Sequence, residues 1–398
     1  MHPNIQHLYQ IANKPSRKII GLMSGTSLDG LDIALCTITG AGTATKVKLE
    51  AFVTSPYTQE LREKILAIFS KQNIPLEQLC LLNPWLALQH ASMIEHALKA
   101  WKINAAEIDL LASHGQTIFH APKSLRPNDQ FGSATLQIVD GDHLATATGI
   151  ITISDFRQKH IAAGGEGAPL SLYGDYLLCA HETENRILLN IGGISNFTLL
   201  NANCKLSEVL STDSGPGNTL MDAYIRTNFN GLSFDKDGLI AKSGNINEVL
   251  LQTLKSDPFF TLAFPKSIGP ELFNLEYLKQ ANKSLVEKLT HEDILATLNM
   301  FTAQTISDAI LKVASPEKSY TIYLSGGGMH NTLLVEHLTK LLPQFTLKSS
   351  KEIDILPDAK EAILFAILAN ESVAGTPLLA GGNATKVATT MGKISFPS

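Results

Sequence analysis

Twice in this chain an apolar strand pattern runs into a glycine-rich turn and comes back as a second apolar strand. That repeat limits the fold more than any other feature. The first copy spans 18–23, the loop Gly21-Leu22-Met23-Ser24-Gly25-Thr26-Ser27-Leu28-Asp29-Gly30 and 31–38, with a third strand at about 47–54. The second copy spans 186–191, the turn Gly192-Gly193 and 197–200. Apolar runs on either side of a glycine turn read as hairpins. A chain of 398 residues is too long for one ordinary core. Two hairpin-headed halves therefore predict a duplicated α/β domain with a cleft between the copies.

The remaining segments fill in the two halves. Positions 59–71 and 82–100 carry apolar residues at helical spacing, while 108–112, 135–139 and 151–153 read as strands. After Asn218 a mostly helical region runs to about 314, and 320–324 is one more strand, ending in Ser325-Gly326-Gly327-Gly328. The expected lobes are 1–154 with 374–398, and 155–373.

Composition removes several function classes. A hydrophobic content of 44% with 17% charged residues suits a folded soluble protein. The net charge of -5 offers no basic footprint for nucleic acid or an anionic membrane. No window approaches the roughly 20 unbroken apolar residues of a membrane helix, and the first residues lack a signal-peptide core. Cys36, Cys80, Cys179 and Cys204 are widely spaced without a CxxC pair, which predicts reduced thiols in a cytoplasmic protein and no metal-ligand set.

The chemistry concentrates at Asp213. Thr212-Asp213-Ser214-Gly215-Pro216-Gly217-Asn218 sets a carboxylate at the mouth of a glycine turn, just before a helix-like run. Loops that expose backbone N–H groups can hold phosphate while a nearby carboxylate takes a proton, as phosphoryl transfer requires. The first loop is neither a Walker loop nor a dinucleotide fingerprint nor a nucleophile elbow. Its assets are the Thr26 and Ser27 hydroxyls, its glycines, and Asp29 and Asp32, either of which can hold Mg²⁺ directly or through water. Each feature also has a plainer reading. The glycine loops would serve as tight turns, Asp213 as a helix N-cap, and His114 in Ser113-His114-Gly115-Gln116-Thr117 as a bonded core histidine. Arg157 in Asp155-Phe156-Arg157 is either a clamp for a substrate carboxylate or part of a solvated connection.

Taken together, Gly25-Thr26-Ser27-Leu28-Asp29-Gly30-Leu31-Asp32, Ser113-His114-Gly115-Gln116-Thr117, Asn190-Ile191-Gly192-Gly193-Ile194-Ser195-Asn196 and Asp213-Ser214-Gly215-Pro216-Gly217-Asn218 resemble the anhydro-N-acetylmuramic acid kinase family. Phe234-Asp235-Lys236-Asp237-Gly238, the segment from Lys266-Ser267 to Phe273-Asn274, and Ser325-Gly326-Gly327-Gly328 extend the likeness from about residue 18 to the C-terminus. The resemblance implies a two-lobed actin-like ATPase fold of the sugar kinase, Hsp70 and actin group. It also implies ATP with Mg²⁺ and a homodimer. The implied reaction opens the anhydro ring of a cell-wall sugar by hydrolysis and phosphorylates O6, giving N-acetylmuramic acid 6-phosphate. By the same resemblance Asp213 is the catalytic base, and Gly25, Thr26, Ser27, Leu28, Asp29, Gly30, Leu31 and Asp32 form the ATP phosphate loop. Gly192, Gly193, Asn196, Gly326, Gly327 and Gly328 complete the nucleotide site, and His114, Gln116, Arg157 and Lys159 surround the sugar.

Departures from the family pattern gather on the expected sugar side. Lys159 and His160 stand where the family has Arg and Asp, Glu166 where it has Gln, Val139-Asp140 where it has Gly-Asn, and Leu172-Tyr173-Gly174-Asp175 where it has Pro-Ala-Phe-His. Glu166 would repel a lactyl carboxylate unless Lys159 or His160 compensates. The alternatives are a kinase of the same fold for a related sugar, and a catalytically idle sugar- or nucleotide-binding sensor.

Overall fold

The computed structural model describes residues 1–25, 28–123, 126, 128–167, 170–269, 272–283, 288–353, 357–377 and 388–398. The chain divides into two compact units. The first takes 1–178, 206–208 and 358–398, and the second takes 179–205 and 209–357.

The first unit opens with α1 (Pro3–Ala12), β1 (Ser16–Ser24), β2 (Gly30–Thr39) and β3 (Lys46–Pro56). It continues through α2 (Gln59–Leu66), α3 (Leu76–Trp101), β4 (Leu110–Ala121), β5 (Ala134–Ile138), α4 (Gly141–Thr148), β6 (Thr152–Ser154), α5 (Phe156–Ala162) and α6 (Ser171–Cys179). The second unit carries β7 (Asn185–Ile191), β8 (Ile194–Leu200), β9 (Leu210–Pro216), α7 (Thr219–Asn228), α8 (Leu239–Lys242), α9 (Glu248–Lys255) and α10 (Leu275–Asn282). It ends with α11 (His291–Val313), β10 (Tyr320–Ser325), α12 (Thr332–Leu341) and β11 (Thr346–Ser349). The chain then rejoins the first unit through α13 (Lys360–Ala374) and β12 (Lys393–Ser395).

Strand order shows the duplication. In the first unit β1, β2 and β3 form an antiparallel meander, with β4 parallel to β1 and β6 parallel to β4. In the second, β7, β8 and β9 form the meander, with β10 parallel to β7 and β11 parallel to β10. Without β5 and β12, the orders β6-β4-β1-β2-β3 and β11-β10-β7-β8-β9 coincide in sequence and sense. Two such five-stranded α/β units are the actin-like ATPase fold.

Packing explains where the units begin and end. One face of the first sheet sends Leu31, Ile33 and Leu35 against Leu82, Leu86, Ile94 and Leu98 of α3. Its other face receives α13, and a Cβ on Gly21 of β1 would collide with the Ala362 carbonyl. Buried Phe156 of α5 stacks on Phe365 of α13. The contact boundaries therefore fall at 178/179 and 357/358 rather than at 154/155 and 373/374. The segments 155–178 and 358–373 bury their apolar residues in the first unit.

In the second unit Leu189, Ile191, Phe197 and Leu199 pack on Ala303, Ile306 and Ile310 of α11. A second cluster joins α7, α9 and α10 to α11. By length and composition α11 could cross a membrane, yet most of its residues are buried inside this unit. It is a core helix.

Candidate active site

In the first unit β1 ends at Ser24, and the loop to β2 begins at Gly25. Thr26 and Ser27 lie outside the described residues. Leu28 has φ 55 and is buried with Leu31 in the core under α3. Burying a leucine stabilises by about 1.5–3 kcal/mol, enough to offset the 1–2 kcal/mol or so of a left-handed backbone. The side chains of Leu28 and Leu31 thus anchor the loop and do not line it, contrary to the expectation of phosphate contact. Gly30 is the first residue of β2, and a Cβ there would stand 2.5 Å from the Ser55 carbonyl oxygen. Its glycine is required by packing against β3. Asp29 is exposed. Asp32 is half-buried and accepts the Thr54 hydroxyl at 2.6 Å. Burial pushes the Asp32 carboxyl up, Thr54 opposes, and the nearby Asp29 and Asp358 add to the rise.

Beside this loop opens a cavity of about 370 Å³ lined by Ser24, Gly25, His114, Thr117, Arg157 and Glu361, among others. His114 sits buried on β4 next to Gly115, whose φ of +78 bends the strand there. Arg157, in the first turn of α5, donates from Nε to His114 Nε2 at 2.9 Å and from Nη1 to the Gly167 carbonyl at 2.7 Å. Burial, reinforced by the Arg157 charge, holds His114 well below its ordinary pKa. The ring is therefore neutral, and accepting at Nε2 leaves its proton on Nδ1. Burial also lowers Arg157, to about 10, with Glu361 opposing. Glu361, in the first turn of α13, escaped the sequence reading. Solvent reaches its side chain, but the surrounding protein strips enough hydration to raise its pKa, against the pull of Arg157.

Gln116 is fully buried beneath the cavity. Its side-chain oxygen accepts the Ser24 hydroxyl, and its amide donates to the Thr117 carbonyl at 3.2 Å and the Gly25 carbonyl at 3.4 Å. It shapes the loop from below. His114 and Arg157 are brought together as expected, whereas Lys159 is exposed on α5 and is not part of the cavity wall. His160 is buried, accepts the Gly167 N–H at Nδ1 (2.9 Å), and is lowered by burial to about 4. A neutral buried imidazole supplies no charge to compensate Glu166.

In the second unit three glycine runs meet at one end of the sheet. The Gly193 carbonyl accepts the N–H groups of Gly217 (2.8 Å) and Thr219 (3.1 Å), and the Gly192 carbonyl accepts Asn218 N–H (2.8 Å). A Cβ on Gly217 would collide with the Gly192 carbonyl. At Gly326, with φ +79, a Cβ would stand 2.6 Å from Asn190 Oδ1 and 2.7 Å from the Ile191 carbonyl oxygen. Gly328 is packed as tightly against Ile191. Gly192 and Gly327 leave room for a Cβ instead, their nearest neighbours at 3.6 and 3.8 Å being ordinary van der Waals contacts. These runs form a backbone cradle at the N-terminus of α7, in which the Gly217, Asn218 and Thr219 N–H groups are already taken by the Gly192 and Gly193 carbonyls.

Asp213 lies within β9, not at a helix mouth, and the N-cap of α7 is Asn218. The register sets Asn190 opposite Asn196 and Asn196 opposite Asp213. Because alternate residues of these strands enter the α11 core, Asn190, Asn196 and Asp213 share the other face. Asn196 therefore neighbours the carboxylate rather than the glycine cradle. Asp213 Oδ2 accepts Ile268 N–H at 2.8 Å, and its own N–H donates to the Lys266 carbonyl at 3.0 Å. Burial raises its pKa, and the Ile268 N–H partly offsets this. A carboxylate held above its usual range is better suited to general-base work than a solvated one.

The family profile described as anhydro-N-acetylmuramic acid kinase matches residues 17–396. A relative of that name from Pseudoalteromonas atlantica is 52% identical over 400 residues, covering 100% of both chains. One from Pseudoalteromonas translucida is 51% identical with the same coverage. A third, from Caldanaerobacter subterraneus, is 37% identical over 98% of this chain and 100% of its own. With likeness of this depth across nearly its whole length, the chain belongs to the anhydro-N-acetylmuramic acid kinase family.

Proposed function

We propose that this protein is an ATP-dependent kinase that opens 1,6-anhydro-N-acetylmuramic acid by hydrolysis and phosphorylates O6, giving N-acetylmuramic acid 6-phosphate in cell-wall sugar recycling. Family membership supports the activity, and one observation supports the chemistry: a half-buried carboxylate of raised pKa, Asp213, fixed through one oxygen. With Oδ2 committed to Ile268, Oδ1 is the oxygen that takes a proton. A water deprotonated there adds to the anomeric carbon as the C1–O6 bond breaks. The freed O6 then attacks the γ-phosphate, and ADP leaves.

In the glycine cradle, Gly192 and Gly327 are the positions with room beside the backbone for a phosphate, while Gly217, Gly326 and Gly328 are closed by protein contacts. Asp29 and Asp32 suit Mg²⁺: they are oxygen donors beside the first loop, and a cation would offset the burial and the lesser repulsion from Asp29 and Asp358 that raise Asp32. Magnesium bound there would neutralise phosphate charge. Arg157 and His114 orient the sugar, the guanidinium being the group for a lactyl carboxylate. A cytoplasmic homodimer belongs to the same reading, and sedimentation at micromolar concentration tests the dimer.

The reaction run in ¹⁸O-water and quenched early should yield a sugar phosphate labelled once, at C1. Prompt product without label, or label on the phosphate, would overturn coupled ring opening.

A further inference from the structure

Asp213 is held by a strap, and the strap has an anchor of its own. The segment from Phe259 to Ile268 brackets the carboxylate through its backbone. Lys266 O accepts Asp213 N–H at 3.0 Å, and Ile268 N–H donates to Asp213 Oδ2 at 2.8 Å. The preceding residue is clamped too: Thr212 Oγ1 accepts Lys266 N–H at 3.0 Å and donates to Lys266 O at 3.1 Å. The Lys266 side chain meanwhile turns away into a buried aromatic pocket. Its ammonium lies 4.2 Å from the Phe259 ring centroid, 5.0 Å from Phe264 and 5.8 Å from Phe260, and donates to the Phe259 carbonyl at 2.8 Å. Only 8% of the residue is exposed. The cage continues into the core, where Phe259 and Phe260 pack on Phe273 and Phe260 on Phe301.

A lysine in this setting needs a reason. Burial lowers its pKa, and Lys312, which donates to the Phe260 carbonyl, is a second cation at the cage and lowers it further. Three ring faces and a carbonyl stabilise the ammonium where water does not. A norleucine-like side chain would fill the same volume without any charge to desolvate. What the ammonium adds is direction: it ties the Lys266 end of the strap back to the Phe259 carbonyl at its start, where the segment joins the core, and so bears on where the Lys266 carbonyl and Ile268 N–H meet Asp213.

We propose that Lys266 is a positioning residue for the reaction, acting through the strap to hold the Asp213 carboxylate in place. The proposal rests on Asp213 being the base, and the experiment separates the two. Lys266→Met keeps the stem and removes the ammonium, and Lys266→Arg keeps a cation. In Lys266→Met, kcat should fall about 10–100-fold while the KM values for sugar and ATP stay within about threefold. The acid limb of the kcat–pH profile should also move upward, because burial and the Ile268 N–H set the Asp213 pKa and the N–H is what loosens. Lys266→Arg should recover most of kcat and restore the limb. Thr212→Val, which removes both side-chain clamps on the strap, should shift kcat and limb in the same sense. It carries the test if Lys266→Met does not fold. Wild-type kcat and pH limb in folded Lys266→Met or Thr212→Val, beside an inactive Asp213→Asn, would overturn the positioning role and leave the base assignment standing. So would a loss in which both KM values rise with the fall in kcat and arginine does not rescue. Full turnover in Asp213→Asn would instead overturn the base assignment, and the positioning role with it.

Discussion

The two units build the same five strands and use them differently. At the first hairpin of unit 1, Leu28 is pinned in the core, and Gly25 lines a cavity with Arg157, His114 and Glu361. At the matching hairpin of unit 2, the turn closes over Gly192 and Gly193, and backbone meets backbone from Gly217 and Gly326. One copy presents charged side chains around a cavity, and the other packs peptide groups on one another, with the Asp213 carboxylate on the same sheet. Peptide N–H groups serve a ligand every nucleotide shares, its phosphates. Side chains discriminate one sugar from another. On the proposed reading the base lies in unit 2, while the sugar-facing Arg157 and His114 and the Mg²⁺-facing Asp29 and Asp32 lie in unit 1.

The largest effect should come from unit 2. Asp213→Asn retains an oxygen for the Ile268 N–H but takes no proton, so turnover should fall about 10²–10⁴-fold with nucleotide binding preserved. Near-normal steady-state rates would dissolve the division just drawn. In unit 1, Arg157→Met removes the donor to His114 and to Gly167. A charged hydrogen-bonding group is worth about 1.5–3 kcal/mol, so sugar KM should rise about 10–100-fold with ATP affinity unchanged by calorimetry. Loss of ATP affinity instead would show that unit 1 side chains serve the nucleotide.

A glycine pair then separates cradle from packing. Gly327→Val places its Cβ in ordinary van der Waals contact and should weaken nucleotide binding about tenfold with an unchanged melting temperature. Gly217→Ala meets the Gly192 carbonyl and should also cost about 1–3 kcal/mol of stability. Equal melting temperatures for both would remove the distinction. Gly30→Val, by contrast, strikes Ser55 and reports on the fold of unit 1 alone.

The smallest effect is an acid sensitivity of unit 1. His90 is fully buried, its Nε2 lies 2.7 Å from the Tyr57 hydroxyl, and burial lowers its pKa to about 3. The unfolded chain binds a proton here below its ordinary pKa near 6.5, and the folded chain does not. Its contribution is therefore intact at neutral pH and is lost progressively between about 6.5 and 3. At pH 5 the loss is about 2 kcal/mol. Thermal melts of His90→Gln should fall less steeply from pH 7 to 5 than wild type, and parallel curves would contradict this.

What could be read from sequence follows the same physics. The meanders were legible because Ile33, Leu35, Ile187 and Leu189 alternate with the period of a strand. Strand β9 was not, since Thr212-Asp213-Ser214-Gly215-Pro216 is turn chemistry that becomes extended only because β8 offers it an edge. Helix α13 is buried almost all round, from Ala362 to Ala369, so it shows no amphipathic stripe. That hid how early the chain returns to unit 1, at 358 rather than 374, and with it Glu361 on the helix's first turn. Leu28 and Leu31 carried their signal openly as apolar residues in a glycine loop, and the motif obscured it. Lys159 was misplaced because only coordinates show that its helix puts Arg157 toward the cavity and Lys159 toward solvent.

Since nothing larger than glycine at position 21 would let α13 lie flush on β1, this helix is the cover of one face of the first unit's sheet, not an appendage. On the ribosome, one face of the first-made sheet therefore stays bare until the segment beyond Asp358 emerges, long after β1 to β6 have been synthesised. Unit 2, nearly contiguous from 179 to 357, has all its strands made before that segment. The half of the molecule translated earliest thus completes its sheet packing only after the other half has been made.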